Sequence, residues 1–397
     1  MKGKLTVLMI TAFVDMLGLA MIIPLLPFYA TKLGASATVV GILIAAFSIA
    51  QLASAPLWGR FSDRYGRRPA LLVGLLVSAA AYVIFAYAST LWLLLLSRVV
   101  QGLGGGTIGV VQAYVADASD PKDRAKSLGW LSAATSFGAV VGPAIGSALI
   151  HWGRHAPGIA SAIFCVLVSI FAGVYLRESR EDSLASGEHG ILAETGSGAI
   201  WSVIARPKEP AQRLIWIYAI AIGAFYGTAP TLPLILSHRL PITEGNVGFF
   251  VMYLGGMGVF VRAGLLGRMI EWLGEPQLTR LGLVLLAAGL ALIAAVHSYL
   301  TLLVSLTLMP LGTAFVFPCV TAMLSRVVPA RNRGLYMGVQ HTFGGVSRVV
   351  FPLAAGVAMD HLGLGFPFVI AGVLVLATLL LTTSMEDYAA SRAPSMT

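Results

Sequence analysis

The chain has 397 residues, 57% of them hydrophobic and only 11% charged, with a formal net charge of +9. Its mean hydropathy of +0.86 excludes a soluble globular domain, in which about a quarter of residues carry charge. Two cysteines, Cys165 and Cys319, both inside apolar runs, exclude a disulfide framework and a cysteine metal site, so each reads as a packing residue.

A membrane-crossing helix needs about 20 mostly apolar residues. That rule predicts an all-α polytopic protein with twelve spans, near 5–29, 38–59, 69–89, 91–115, 127–150, 157–177, 213–236, 246–267, 277–297, 299–323, 334–359 and 362–383. The first run follows Lys2 and Lys4 but is too long for a signal peptide and lacks a small-residue cleavage site, so it reads as a retained span. The organisation expected is an N-terminal six-helix bundle over 1–177, a polar cytoplasmic linker over 178–212 and a C-terminal six-helix bundle over 213–397. The linker carries Arg177, Glu178, Arg180, Glu181, Asp182, Glu188 and Glu194 among Ser and Gly.

Orientation follows from the positive residues. Lys32, Arg154 and Arg239 fall on one side, Arg98, Arg262 and Arg348 lie within spans, and the other Lys and Arg share the side that carries both termini. Both termini are therefore predicted to be cytoplasmic, and the net positive charge needs no nucleic-acid partner.

Between the second and third spans stands GRFSDRYGRRP, with Gly59, Asp63, Arg64, Gly66 and Arg67 crowded at the membrane surface as a compact ionic latch. The second half echoes it. Gly267, Arg268 and Glu271 with Gly274 repeat Gly59, Arg60 and Asp63 with Gly66; Asn332-Arg333-Gly334 echoes Asp123-Arg124-Ala125, and Pro352 echoes Pro143. A doubled six-span unit is the signature of a secondary transporter with its substrate site near mid-membrane.

Four stretches in order, GRFSDRYGRRP, Asp15 to Pro27 in span 1, Arg98-Val99-Val100-Gln101-Gly102 in span 4 and Gly138 to Gly146 in span 5, resemble the major facilitator superfamily, and more closely its drug:proton antiporter branch, which includes tetracycline and multidrug efflux transporters. The resemblance implies a two-bundle fold, no enzymatic chemistry, no cofactor, a monomer in the bacterial inner membrane, and alternating access coupled to protons.

Residue roles follow. Asp63 is placed to accept hydrogen bonds from the first amides of span 11, near Arg333, and Arg67 to bridge to Asp117; the resemblance implies that this network holds the two halves together when the cavity opens outward. Asp15 lies about ten residues, roughly 15 Å, inside span 1, where a carboxylate is costly unless paired, protonated or facing water. Arg98 is long enough to be its partner, and the resemblance implies a role for it in proton coupling. The alternative for both is static pairing. Gly138, Gly142 and Gly146, with Pro143 beside them, share one helical face and predict a close approach to a neighbour from the other half. Gln51, Gln112, Tyr226, Tyr253, Gln340 and His341 are polar groups inside spans and candidates for touching substrate. Arg262 and Arg348 outnumber the one deep acid, so a cavity lined by all three arginines suits an anionic or zwitterionic cargo; Arg262 alternatively snorkels to the interface. The cargo is expected to be a drug-like amphiphile, with organic anions, lipids or sugars as the alternative and a non-transporting receptor as the remote one. No metal-ligand spacing or nucleotide loop is found.

Overall fold

The computed structural model describes residues 2–105, 107–120, 123–176, 193–383 and 385. Among them every regular element is helical. Backbone groups in hydrocarbon must satisfy one another, and helices do so within a single segment. Ten segments are long and apolar enough to cross a membrane, and the apolar helix Phe366–Thr382 is shorter. One of the ten, Val247–Ala294, has 48 residues. At 1.5 Å per residue that length is about 70 Å, more than twice a hydrocarbon core of about 30 Å. It must cross twice. The break falls at Gly274, whose φ of 73° and ψ of 161° are non-helical, one residue before Glu275-Pro276. The architecture is thus ten to twelve apolar helices.

The chain divides into two compact units: Met1–Glu188 with Pro241–Tyr253, and His189–Leu240 with Leu254–Thr397. The first part of the linker predicted over 178–212, up to residue 192, lies outside the described residues and takes with it Glu178, Arg180, Glu181, Asp182 and Glu188, as does Arg177 just before it. From Ala193 the chain is helical again.

The first unit holds α1 (Lys2–Ile22), α2 (Leu26–Lys32), α3 (Ala37–Tyr65), α4 (Arg67–Ala86), α5 (Leu91–Gly105), α6 (Ile108–Asp117), α7 (Arg124–Leu149) and α8 (Ala156–Tyr175). Pro24, with no N–H to give, separates α1 from α2, and the glycine run after Leu103 separates α5 from α6. Ser36 caps α3 by accepting a hydrogen bond from the Val39 N–H at 3.4 Å. The predicted loop after residue 59 does not exist. Helix continues to Tyr65, and Gly66 alone, at φ 106° and ψ 160°, turns the chain into α4. That region of backbone space is essentially open to glycine only. The unit's core joins Leu8 of α1, Leu71 and Leu75 of α4, Tyr114 and Val115 of α6, Leu131 of α7 and Ala172 of α8.

The second unit holds α9 (Ala193–Ala205), α10 (Pro210–Thr228), α11 (Leu232–Arg239), the end of α12 (Val247–Phe260) with the π turn Val261–Leu265, then α13 (Leu266–Ala294), α14 (Tyr299–Val327), α15 (Arg333–Leu362) and α16 (Phe366–Ala377). Ser298 and Thr301 form a reciprocal cap on α14. Gly282 of α13 and Gly312 of α14 face each other: a Cβ on either would lie 2.8 or 2.6 Å from the other's carbonyl oxygen. Glycine is therefore what lets these two helices meet backbone to backbone.

The repeat visible in the sequence recurs in backbone geometry. Gly66 at φ 106° corresponds to Gly274 at φ 73°, and Gly153 at φ 118° to Gly363 at φ 113°. The first span of each unit is broken near its end by proline, at Pro24 and near Pro233.

Candidate functional site

Three groups of side chains stand out, each within one unit. The first sits at the Gly66 junction. Because no loop intervenes, Arg67 in the first turn of α4 lies beside the last turn of α3. Its Nη1 donates to Asp63 Oδ1 at 2.7 Å and to Ser62 Oγ at 2.9 Å, while Nε donates to Asp117 Oδ2 at 3.2 Å, tying α3, α4 and the end of α6 into one network. The Arg67–Asp117 bridge read from the sequence is present. Arg64 lies over the Tyr65 ring, Arg68 donates to the Gly173 carbonyl of α8, and Gly59 has open space where a side chain would project. Arg333 is exposed at the start of α15.

The second unit has a counterpart that the sequence reading missed. Glu275 follows Gly274 as Arg67 follows Gly66, and it pairs with Arg326 at the end of α14. In the repeat register Arg326 stands where Asp117 stands. The same bridge is built twice with its charges exchanged. The signal was legible, since extending the Gly66–Gly274 alignment by one residue exposes Glu275 opposite Arg67.

The second group lies deep in the first unit. Arg98 of α5 is 2% exposed, with its guanidinium 5.2 Å from the centre of the Phe85 ring and Nε 3.5 Å from Ser97 Oγ. Its Nη2 is buried with no hydrogen-bond partner, and Gln101, one turn on, is 2% exposed. Leaving such a donor unpaired is costly. Asp15 of α1 is partly buried. The Asp15–Arg98 ion pair expected from side-chain reach does not form in this structure, because Arg98 is turned toward Phe85 of α4. The residue that feels both charges is Tyr82 of α4, 1% exposed and absent from the sequence reading. Gly18, one turn from Asp15, makes the approach fit: a Cβ there would be 3.2 Å from the Tyr82 hydroxyl. A carboxyl, a phenol, an amide and a guanidinium thus occupy one low-dielectric region.

The antiporter-motif glycines pack differently from the expectation. A Cβ at Gly142 would lie 2.8 Å from the Leu17 carbonyl oxygen, and Cβ atoms at Gly138 and Gly146 would run into the carbonyls of Phe13 and Met21. These three glycines therefore seat α7 on α1 of their own unit, not on a neighbour from the other half. The close approach to the second half of the sequence is made by Pro143 and Ser147 of the same helix, to the Pro241–Tyr253 segment that groups with the first unit. Gly248 meets the Pro143 carbonyl. Ser147 Oγ accepts from the Gly248 N–H at 2.8 Å and donates to the Glu244 carbonyl at 2.6 Å, and Lys32 pairs with the Glu244 carboxylate at 2.7 Å. Glu244 was not among the sequence candidates.

The third group is aromatic and cationic, in the second unit. Tyr218 of α10 packs against Phe317 of α14, with centroids 5.4 Å apart, and against His341 of α15 at 6.3 Å; Tyr226 stacks with Phe317 at 6.4 Å and 18°. Arg348 of α15 and Arg262 in the π turn both lie within electrostatic range of the Tyr218 hydroxyl. The structure thus assembles three sequence candidates, Tyr226, His341 and Arg348, around two rings that had not been singled out. Elsewhere, Gln51 donates to the Gly105 carbonyl at 3.2 Å and Gln340 to Thr321 Oγ1 at 3.3 Å, so both amides join neighbouring helices. Gln112 is exposed and Tyr253 half-buried.

Comparison with known proteins agrees with this geometry. The Major Facilitator Superfamily profile matches residues 8–291 and 214–396. The chain is 29% identical over 385 residues, 96% of both chains, to Multidrug resistance protein 1 of Bacillus subtilis (strain 168). It is 26% identical over 364 residues to Tetracycline resistance protein, class B, of Escherichia coli, covering 91% of this chain and 90% of that one. Solved structures share the fold: the human organic anion transporter MFSD10 (TETRAN) at TM-score 0.66 and 24% identity, covering 96% and 99% of the two chains, and a bacterial homolog of the lysosomal transporter Spinster in its inward-facing, unoccupied conformation at 0.76 and 14%, covering 97% and 95%. Below 25% identity these structures speak for architecture alone. With apolar helices throughout, a doubled architecture and a family match over nearly its whole length, this multi-pass membrane protein belongs to the Major Facilitator Superfamily, whose members are transporters and not enzymes.

Proposed function

We propose that the protein is a proton-driven exporter of drug-like amphiphilic small molecules in the bacterial cytoplasmic membrane, a monomer with both termini cytoplasmic, working by alternating access. The observation that carries this reading is the set Asp15, Tyr82, Gln101 and Arg98 gathered inside the first unit. A carboxyl held in an apolar bundle without an ion pair, near a guanidinium whose Nη2 is unpaired, is poised to change protonation when access or partner changes. The similarity to multidrug and tetracycline resistance proteins supports the same direction and cargo class.

In this reading Asp15 and Arg98 carry the proton linkage. The network of Gly59, Asp63, Arg64, Gly66, Arg67 and Asp117, with Arg333, biases the conformational equilibrium on the cytoplasmic side. Gly138, Gly142, Pro143 and Gly146 limit leak by close packing. Gln51, Gln112, Tyr226, Tyr253, Gln340, His341 and Arg348 contact cargo. Two ligands, proton and drug, exchange free energy only because each binds the alternate states unequally.

The test is Asp15→Asn in proteoliposomes with an imposed pH gradient. Loss of gradient-driven dye or antibiotic accumulation, with unchanged thermal stability in detergent, is expected; accumulation equal to the wild type would remove Asp15 from the mechanism. A second reading, an anionic cargo, is favoured by the uncompensated cations of the second unit.

A further inference from the structure

The cluster around Tyr218 has a charge balance that discriminates among amphiphiles. Helices α10, α12, α14 and α16 and the π turn contain no Asp or Glu, and α15 contains only Asp360, more than three turns beyond Arg348. Glu271 and Glu275 lie at the opening of α13, and Glu275 is already paired with Arg326. Among the described residues, no carboxylate reaches ion-pair distance of Arg262 or Arg348.

Arg348 is held in place. Gly344 leaves room for Tyr218, since a Cβ there would be 3.0 Å from the ring, and the Gly344 carbonyl receives Arg348 Nε at 3.4 Å. That leaves the planar end of the guanidinium, with its Nη donors, available to a bidentate oxyanion. Arg262 sits in a π turn, Val261–Leu265, where the extra residue per turn rotates its side chain out of α-helical register, a distortion frequent at functional sites. The rings His341, Tyr218, Phe317 and Tyr226 form one continuous series, and Tyr226 at its end is 44% exposed. That open face accepts a flat molecule by stacking.

We infer that this cluster is a recognition site for a planar aromatic molecule bearing a single negative group, such as an aromatic carboxylate. Ring faces alone attract cations. Two guanidiniums with no acid among them reverse that preference, because a cationic ligand here meets like charge, whereas a carboxylate neutralises it. The inference rests on the exporter reading and specifies its cargo: the drug-like amphiphile is an aromatic anion.

Three probes of equal ring and opposite charge decide it: 2-naphthoate, 2-naphthylmethanol and 2-naphthylmethyl-trimethylammonium, binding to the purified full-length protein being measured by equilibrium dialysis. Naphthoate should bind at least about tenfold more tightly than the ammonium probe. Arg348→Gln should abolish the difference, Arg348→Lys should restore part of it, and Phe317→Leu should weaken all three alike, each variant being checked for a single peak on gel filtration. Equal or tighter binding of the ammonium probe, or an unchanged preference in Arg348→Gln, overturns the inference. Gradient-driven transport by the wild type in proteoliposomes separates the two readings: naphthoate preference with proton-driven transport of naphthoate supports both, and naphthoate preference with no gradient-driven transport refutes the exporter while leaving the site standing.

Discussion

The twice-built bridge offers a perturbation whose sign can be worked out in advance. In the first unit the cation Arg67 follows the glycine turn and the acid Asp117 ends the partner helix; in the second the acid Glu275 follows the turn and the cation Arg326 ends the partner helix. Arg67→Glu places a carboxylate against Asp63 and Asp117. Arg67 is 20% exposed and Asp117 31%, so the pair is screened more than a buried one. A contact near 4 Å is worth about 4 kcal/mol of gross attraction at an effective dielectric near 20, of which desolvation and side-chain ordering leave about 1 kcal/mol. Asp63, 52% exposed, adds less. Arg67→Glu should therefore destabilise the first unit by about 2–3 kcal/mol, lost attraction plus new repulsion. Asp117→Arg alone should cost about 1–2 kcal/mol by the same terms. The double variant Arg67→Glu/Asp117→Arg recreates the second unit's polarity, with Asp63 then standing to residue 67 as Glu271 stands to Glu275. It should recover about 1–2 kcal/mol relative to the sum of the single changes. The readout is a double-mutant cycle on unfolding in detergent. A coupling below about 0.3 kcal/mol, within the scatter of additive sites, would mean that the bridge contributes nothing and that the charge exchange between repeats is incidental.

Other outcomes follow from the same geometry. Gly142→Ala forces a methyl to within 2.8 Å of the Leu17 carbonyl oxygen, so α7 must move off α1 at a cost of about 1–3 kcal/mol; thermal unfolding unchanged from the wild type would show that the two helices are not seated as described. Ser147→Ala removes the acceptor of the Gly248 N–H and the donor to the Glu244 carbonyl, with an expected loss of about 1–3 kcal/mol and faster hydrogen exchange confined to residues 241–253; uniform exchange behaviour would contradict it. Gly66→Ala places a side chain at φ 106° and ψ 160° and should cost about 1–3 kcal/mol, whereas Gly59→Ala, with open space around it, should be neutral or slightly stabilising; equal effects at the two sites would show that the turn geometry is wrong.

Much of this protein was legible before any coordinates. The apolar runs rest on hydropathy along one segment, the doubled pattern on motifs that recur at a fixed offset, and the Arg67–Asp117 bridge on the resemblance of the charged motifs that carry the two residues. Some expectations failed locally, and others because one residue's effect depends on a distant one. The loop expected after residue 59 is helix instead, because a polar sequence such as GRFSDRY can continue a helix beyond the hydrocarbon, and hydropathy reports the membrane and not the helix. The Asp15–Arg98 pair failed because reach along a helix does not state which way a side chain turns. Tyr82, Tyr218 and Phe317 escaped notice because an aromatic residue in an apolar span looks like packing until its neighbours are known.

By itself, the amino-acid sequence determined that this chain crosses a membrane many times in two related sets of helices, because burying about 20 apolar residues per crossing admits few other solutions. Tertiary structure decided which helix each glycine face seats, which ring stands by which charge, and that the antiporter glycines serve α1. Such contacts join residues far apart in the chain, and their energies depend on distance and orientation, quantities that no local pattern encodes.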